Sequence, residues 1–467
     1  MSKKIYQIVF AVASFLFFQK GISAQEFPIA VGSDTTFSGG AVYGDNNGLV
    51  AIYGDSESPY SINAQLIAYP GDLIGPRISL GDTGVFPGAI PIFDGTNYFL
   101  MWCDFYGTLK GEFIDTNGNL VGSPITIATD LDPNGRNSIA MGDTVFLAVF
   151  VKNDGYLYGQ MLSSSGDLIG SQIQISNNYA RENATAFDGN NFLVVWVDDN
   201  NDKDIYGQFV SKTGSLVGGN FVIDNGPYYS DNPVSLAFDG TRYLLAFHET
   251  LSDVGFPKWT LLGRFITTSG TLEDTFTICD TTKMPFLPYV AFDGTNYLIT
   301  WTQFSDSNMV GRFYNTFGEP IDTPFVIFAP LNNKIPVGGV GFGGGNYLVI
   351  ATRVNSDLTD GDVYGRFISP VSIRDENSLN IKPKLFPNYP NPFSRYTNIQ
   401  YELPKSTYVT LRIYNMLGQE VATLVRGVLP AGKHTIRWNS ADLPEGIYFC
   451  NLETTSSVET KKLILLK

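Results

Sequence analysis

An eleven-residue segment, AFDGTNYLITW from Ala291 to Trp301, recurs along the chain, and its spacing of about 50 residues restricts the fold more than any other feature. The other copies are VYGDNNGLVAI (42–52), IFDGTNYFLMW (92–102), AMGDTVFLAVF (140–150), AFDGNNFLVVW (186–196), AFDGTRYLLAF (237–247) and GFGGGNYLVIA (341–351). Each opens with a short apolar piece that runs into a turn, which in four copies is Asp-Gly, a dipeptide that accepts the positive φ of a tight hairpin. The following run, such as Asn97 to Trp102, is apolar on both parities, so both of its faces are expected to be buried. A polar loop leads to a third strand carrying GEF (111–113), GQM (159–161), GQF (207–209) or GRF (263–265, 311–313, 365–367). A glycine turn then leads to a short fourth strand, such as ITI (125–127) or FVI (325–327).

Four short antiparallel strands per repeat match the blades of a propeller, in which every blade packs face to face on two neighbours. The last repeat stops at FISPVSI (367–373) without a fourth strand, while FPIAV (27–31) precedes the first repeat and resembles the fourth strands. The expectation is an all-β chain: a seven-bladed β-propeller, against six or eight blades, closed by the N-terminal strand, then a small Ig-like β-sandwich. Closure removes an open sheet edge that would invite aggregation.

The domain boundaries follow from the same pattern. Residues 1–24 read as a signal peptide: Lys3 and Lys4 precede an apolar run from about Tyr6 to Phe18, and Ile22-Ser23-Ala24 offers small residues for cleavage. No other stretch is long and apolar enough for a transmembrane span. The propeller is placed at 25–373, a linker at 374–385 and the sandwich at 386–467. Residues 25–382 carry 17 Lys and Arg against 39 Asp and Glu, whereas 383–467 carry 10 against 6. So acidic a propeller repels phosphates and argues against nucleic acid as a partner. Cys103, Cys279 and Cys450 have no metal-site spacing, and their odd number argues against a disulfide framework.

In the C-terminal part, FPNYPNPF (386–393), YELP (401–404), RIYNMLGQEVATLV (412–425), LPAGKHTIRWN (429–439) and GIYFCNLET (446–454) stand in order before a basic-apolar end. This stretch resembles the C-terminal sorting domain of type IX secretion, type A. The resemblance implies the type IX secretion machinery as partner, passage through the periplasm and across the outer membrane, removal of the tail, and a secreted or cell-surface location. The repeat itself resembles the FDG-type repeats of bacterial exported proteins, a likeness that brings no known site with it.

Candidate chemistry is sparse. VDDNNDKDIYG (197–207) sets Asp198, Asn200, Asp202 and Asp204 at alternate positions, the pattern of a short calcium loop, because calcium takes six to eight hard oxygens. Lys203 stands where such a loop needs glycine, and a solvated Asp/Asn hairpin is the competing and preferred reading. Asp357, Asp360 and Asp362 form a looser version. GGVGFGGG (338–345) contains G-x-G-x-x-G but no helix follows, so it reads as a hairpin turn and not a dinucleotide site. His248 and His434 lack a motif-level Ser or Cys partner, and His248 is expected on a loop or rim. Trp102, Trp196 and Trp301 end the most apolar strands and are expected between blades rather than as sugar platforms. The residues thus nominate no catalytic or cofactor-binding site.

Two functions remain, beside a purely structural role in a surface layer that would show the marks of neither. One is an interaction protein that binds an unidentified protein or glycan; the other is a polysaccharide hydrolase with carboxylates in the propeller channel. Two or three convergent carboxylates in an axial pocket favour the enzyme. A channel of apolar or scattered polar groups favours binding.

Overall fold

In the four repeats that carry Asp-Gly, the aspartate side chain builds the turn. Asp94 Oδ1 accepts the backbone N–H groups of Thr96 (2.7 Å) and Asn97 (2.6 Å), and Asp293 Oδ1 does the same for Thr295 (2.8 Å) and Asn296 (2.7 Å). The glycine between them takes a left-handed φ, 92° at Gly95 and 89° at Gly294, which glycine adopts without steric cost. The aromatic ring before each turn then folds onto the ring after it: Phe93 on Tyr98 and Phe292 on Tyr297, with centroids 4.9 and 4.8 Å apart. Local chemistry therefore sets the first hairpin of a repeat, and the remaining strands are added to it in sequence order.

The computed structural model describes residues 25–31, 37–44, 46–54, 61–83, 89–132, 135–198, 204–226, 234–250, 259–330, 335–354, 361–370, 383–403, 407–429, 432–440, 443–454 and 458–466. The chain forms two compact units, Met1–Val371 and Ser372–Lys467. Among the described residues there is no helix. The expected signal peptide and most of the expected linker lie outside the described residues.

In the first unit, six four-stranded antiparallel sheets follow one another, each a meander of consecutive strands. The second sheet is typical: Ile90–Phe93, Asn97–Cys103, Leu109–Asp115 and Leu120–Ala128. The last sheet is five-stranded. Its Ile335–Val337 and Val340–Gly343 both pair with Asn346–Val354, which pairs with Gly361–Ile368. The outermost place is taken by Phe27–Ala30, with Phe27 opposite Gly365 and Ala30 opposite Val363. The N-terminal strand thus completes the final sheet, as its sequence leads one to expect.

An ion pair holds that strand in place. The guanidinium of Arg353, only 3% exposed, binds both carboxylate oxygens of Glu26 and donates to the Ala329 carbonyl at 3.0 Å. Tyr364 stacks under it with 4.4 Å from Cζ to the ring centroid.

Cores lie between successive sheets, not inside them. Trp102 packs with Leu49, Ala51 and Ile62 of the preceding sheet, Trp196 with Val149 and Met161, and Trp301 with Ala246 and Leu261. All three rings are fully buried, so they are core and not sugar platforms. Removing a ring of this size from a core costs about 3–5 kcal/mol. Another such cluster joins the last sheet to the first, through Leu348, Ile350 and Val363 against Val50, Ile52 and Ile67. Tyrosines after the turns add polar links between sheets: the Tyr98 hydroxyl donates to the Asn47 carbonyl at 2.5 Å, and Tyr347 to the Asn296 carbonyl at 3.0 Å.

The polar residue of the third strand has two roles: it donates within its own repeat, as Arg312 Nε does to the Asp322 carbonyl at 2.7 Å, or to the preceding sheet. In Gln65, Gln160 and Gln208 the buried amide donates inside its own sheet, where Gln208 Nε2 reaches the carbonyls of Phe209 (2.9 Å) and Val217 (3.0 Å). Arg264 and Arg366 instead reach carbonyls of the preceding sheet, at Ile223 and Ile327. Glu112 occupies the glutamine position in the second sheet, 2% exposed, and its Oε2 is buried without a partner.

The second unit has a three-stranded sheet (Lys384–Leu385, Tyr396–Leu403, Gly432–Asn439) and a four-stranded one (Glu420–Leu429, Thr407–Tyr414, Gly446–Thr454, Val458–Leu465). One apolar cluster joins them, with Ile399, Tyr401 and Leu403 on one side and Val409, Leu411 and Ile413 on the other. The alternating residues of 409–413 explain that face, since a strand presents every second side chain to the same side.

Candidate functional site: the axial cavity

The first strands of successive sheets line a cavity of about 270 Å³ in the first unit. Most contribute small or apolar groups: Gly39-Gly40-Ala41, Ala89-Ile90-Pro91, Val234 to Leu236, Pro288-Tyr289 and Gly339-Val340. Two neighbouring strands differ and bring Arg136, Asn137 and Ser138 beside Glu182 and Asn183.

The backbone explains how Glu182 comes to face the cavity. Ala180 pairs with Asp198 and Asn183 with Trp196, so the strand holds one residue more than its partner between these points. Such a bulge re-aims the side chains within it, here Arg181 and Glu182. The same extra residue occurs at the cavity wall in the first sheet, between Ser38 and Ala41, and in the sixth, between Phe286 and Tyr289. In the latter, Leu287 takes a left-handed φ of 52°.

The polar groups form one connected wall. Arg136 Nε lies 2.7 Å from Glu182 Oε2. Asn183 Nδ2 donates to the Arg136 carbonyl at 2.6 Å, and its Oδ1 accepts from the Ser138 hydroxyl at 2.5 Å. Asn137 is 7% exposed and its Oδ1 is buried without a partner. Burial lifts the Glu182 carboxyl above its ordinary range, against the opposing pull of Arg136 and Arg181. The ion pair and the raised value coexist because desolvation here outweighs the attraction of the two guanidinium groups. Glu182 is the single carboxylate among the described lining residues, and it already has a cationic partner.

The sequence-nominated metal residues fare unevenly. Asn200 and Asp202 lie outside the described residues. Asp198 is fully buried at a strand end and accepts from Asn178 Nδ2 at 2.9 Å, while its N–H donates to the Asp204 carbonyl at 2.9 Å. Among the described residues, no group of three or more His, Cys, Asp or Glu side chains is placed to hold a metal ion. Asp357 and Asp360 also fall outside the description.

His248 requires a correction. It lies within strand Arg242–Thr250, 2% exposed, not on a loop or rim, and its ring sits 5.9 Å from both Trp259 and Phe286. The apolar run of the repeat extends further in this unit than its sequence indicates, carrying the histidine into an aromatic cluster. Cys103 and Cys450 are buried free thiols, and burial lifts each to about 12. Such thiols are inert at neutral pH.

Sequence reasoning passed over Arg136, Asn137 and Glu182 because they precede the recurring motif. A signal existed: the position four residues before the motif is charged in the third and fourth repeats, as Arg136 and Glu182, and uncharged in the others, as Ser38, Gly88, Pro233, Leu287 and Val337.

Comparison with known proteins places these two units. No curated protein sequence matches the chain. Among solved structures, the BP39L lectin from Burkholderia pseudomallei is 16% identical with a TM-score of 0.54, the match covering 74% of this chain and 99% of that one. AofleA from Arthrobotrys oligospora is 9% identical with a TM-score of 0.43, covering 63% and 89%. The β-propeller domain of the Trilobed protease from Pyrococcus furiosus is 11% identical with a TM-score of 0.43, covering 73% and 99%. Residues 388–466 match the family model of the secretion system C-terminal sorting domain. The chain is therefore an all-β protein with propeller-like structural neighbours that ends in a type IX sorting domain.

Proposed function

We propose that this chain is an exported binding module: a seven-bladed β-propeller at 25–373, delivered by the type IX machinery through an Ig-like sorting domain at 386–467. A signal peptide at 1–24 directs entry to the periplasm, and 374–385 links the two domains. The protein then resides at the cell surface or is released, and the propeller holds a protein or glycan partner.

The observation that carries this reading is the cavity wall, where the one described carboxylate, Glu182, is paired with Arg136. Glycoside hydrolysis through an acid and a base needs two carboxylates about 5–9.5 Å apart. A polar wall beside apolar ones is the usual make-up of a binding site. The likeness to a lectin, at 16% identity, supports the fold and is silent on the ligand.

A glycan-array and hydrolysis screen on residues 25–467, with and without calcium, tests the proposal. Binding without turnover is expected. Turnover of any polysaccharide would replace this reading with the hydrolase. Calcium-dependent binding lost on Asp202→Asn would assign the metal to Asp198, Asn200, Asp202 and Asp204.

Delivery has its own test. Deleting residues 383–467 is expected to leave the protein in the periplasm, as read by cell fractionation. Surface delivery equal to that of the full chain would overturn the sorting role.

A further inference from the structure

We propose that the axial cavity binds one ring of a neutral, hydroxyl-rich ligand, a hexose or N-acetylhexosamine residue, through Asn137, Glu182 and Arg136. The inference rests on the binding-module reading and names the ligand class and the residues that take it.

Asn137 is the first reason. Its side chain lies at the cavity, nine-tenths buried, with an Oδ1 that meets no donor in the protein. A buried acceptor left unsatisfied costs about 1–3 kcal/mol, and the amide recovers that cost when it turns Oδ1 out of the wall to a donor on a ligand in the cavity.

The neighbouring groups decide what kind of donor. Glu182 uses Oε2 on Arg136 Nε. A carboxylate accepts at about four sites and a guanidinium donates from five N–H groups, so both partners keep unused capacity. The wall therefore offers acceptors and donors side by side. Hydroxyl groups, which both donate and accept, match it. An ammonium or a carboxylate matches only half of it.

The remaining walls and the size fit a sugar ring. Pro91 and Leu236 on the two flanking strands, and Pro288, Tyr289 and Val340 on the strands beyond them, add apolar and aromatic lining to the polar wall. A sugar has hydroxyl edges and C–H faces that suit such a division. The volume of about 270 Å³ falls just below the ~300 Å³ at which pockets for drug-sized ligands begin, which suits one ring.

The test uses the mature chain, residues 25–467, titrated with glucose, galactose, mannose and N-acetylglucosamine by saturation-transfer NMR and calorimetry. Acetate and tetramethylammonium serve as charged probes. At least one neutral sugar is expected to bind, and Asn137→Ala to weaken it about tenfold, the effect of one lost hydrogen bond. Glu182→Gln, which keeps the shape of the side chain, is expected to weaken it similarly. It also keeps the test valid if Asn137→Ala does not fold. Binding of every sugar unchanged in both variants overturns the assignment, as does failure of all four at millimolar concentration. Tighter binding of either charged probe overturns the ligand class. Array binding that survives both substitutions leaves the module reading standing and removes the cavity from it; a blank array removes the glycan half of the module reading together with this proposal.

Discussion

Replacing Gly343 with valine is expected to destabilise the first unit by about 3 kcal/mol or more, because backbone fills the place where a side chain would go. Gly343 lies in strand Val340–Gly343 of the last sheet, against the first strand of the first sheet. A Cβ there would land on the Tyr43 carbonyl oxygen, and one at Gly341 would lie 2.8 Å from the Ala41 carbonyl oxygen. Neither carbonyl has a flexible end that can swing away, so the seam between last and first sheets must open. Gly345, two residues on, is the control. Its φ is 79° with open space around it, so Gly345→Ala carries only the conformational cost, about 1–2 kcal/mol. Thermal melting of both variants checks the difference. Equal losses would mean that backbone conformation, and not the seam, requires glycine in this segment.

Glu112→Gln is expected to stabilise the protein by about 1–2 kcal/mol at pH 8 and by little at pH 4. In the first, third and fourth sheets an amide NH₂ at this position donates to backbone carbonyls. A carboxylate in the second sheet has no proton to give them, whereas a neutral carboxylic acid has one. Burial accordingly raises the Glu112 pKa. The sign follows directly. Unfolded, the group titrates near ~4.3, and folded it titrates higher, so between the two values the folded state binds more protons. Stability is therefore full below the unfolded pKa and is lost as pH rises through the folded one. Glutamine has no such titration, so urea denaturation at several pH values should show the wild-type and variant curves diverging as pH rises. Parallel curves would mean that Glu112 finds its donor as a carboxylate.

Much of the architecture was legible because its causes are local. Asp94 and Asp293 cap their own turns, and Gly95 and Gly294 take the φ those turns need, all within four residues. The doubly apolar strand ending in Trp102 has to be covered on both faces, and it is. The missing fourth strand of the last repeat and the spare strand at Phe27 imply one another, and the observed pairing with Gly361–Ile368 follows. The tail carried its family in its own motifs.

The candidate site was not legible in the same way. Glu182 faces the cavity because a bulge adds one residue between Ala180 and Asn183, and a period-two reading of the strand sends it elsewhere. GGVGFGGG reads as a turn, and Gly344 and Gly345 do form one, but Gly341 and Gly343 serve the seam with a strand 300 residues away in the chain. His248 looked exposed because it follows the last residue of the motif, Phe247, and precedes Glu249 and Thr250, while the rings that bury it come from Trp259 and Phe286.

The sequence by itself determined the repeat, its turns, the order of strands and the address carried by the tail, since each depends on residues adjacent in the chain. Only the tertiary structure decided which side chains reach the cavity, where glycine is compulsory and which acid lacks a donor. Those outcomes depend on how closely one sheet approaches the next, a distance fixed by packing across the whole unit and encoded in no single segment.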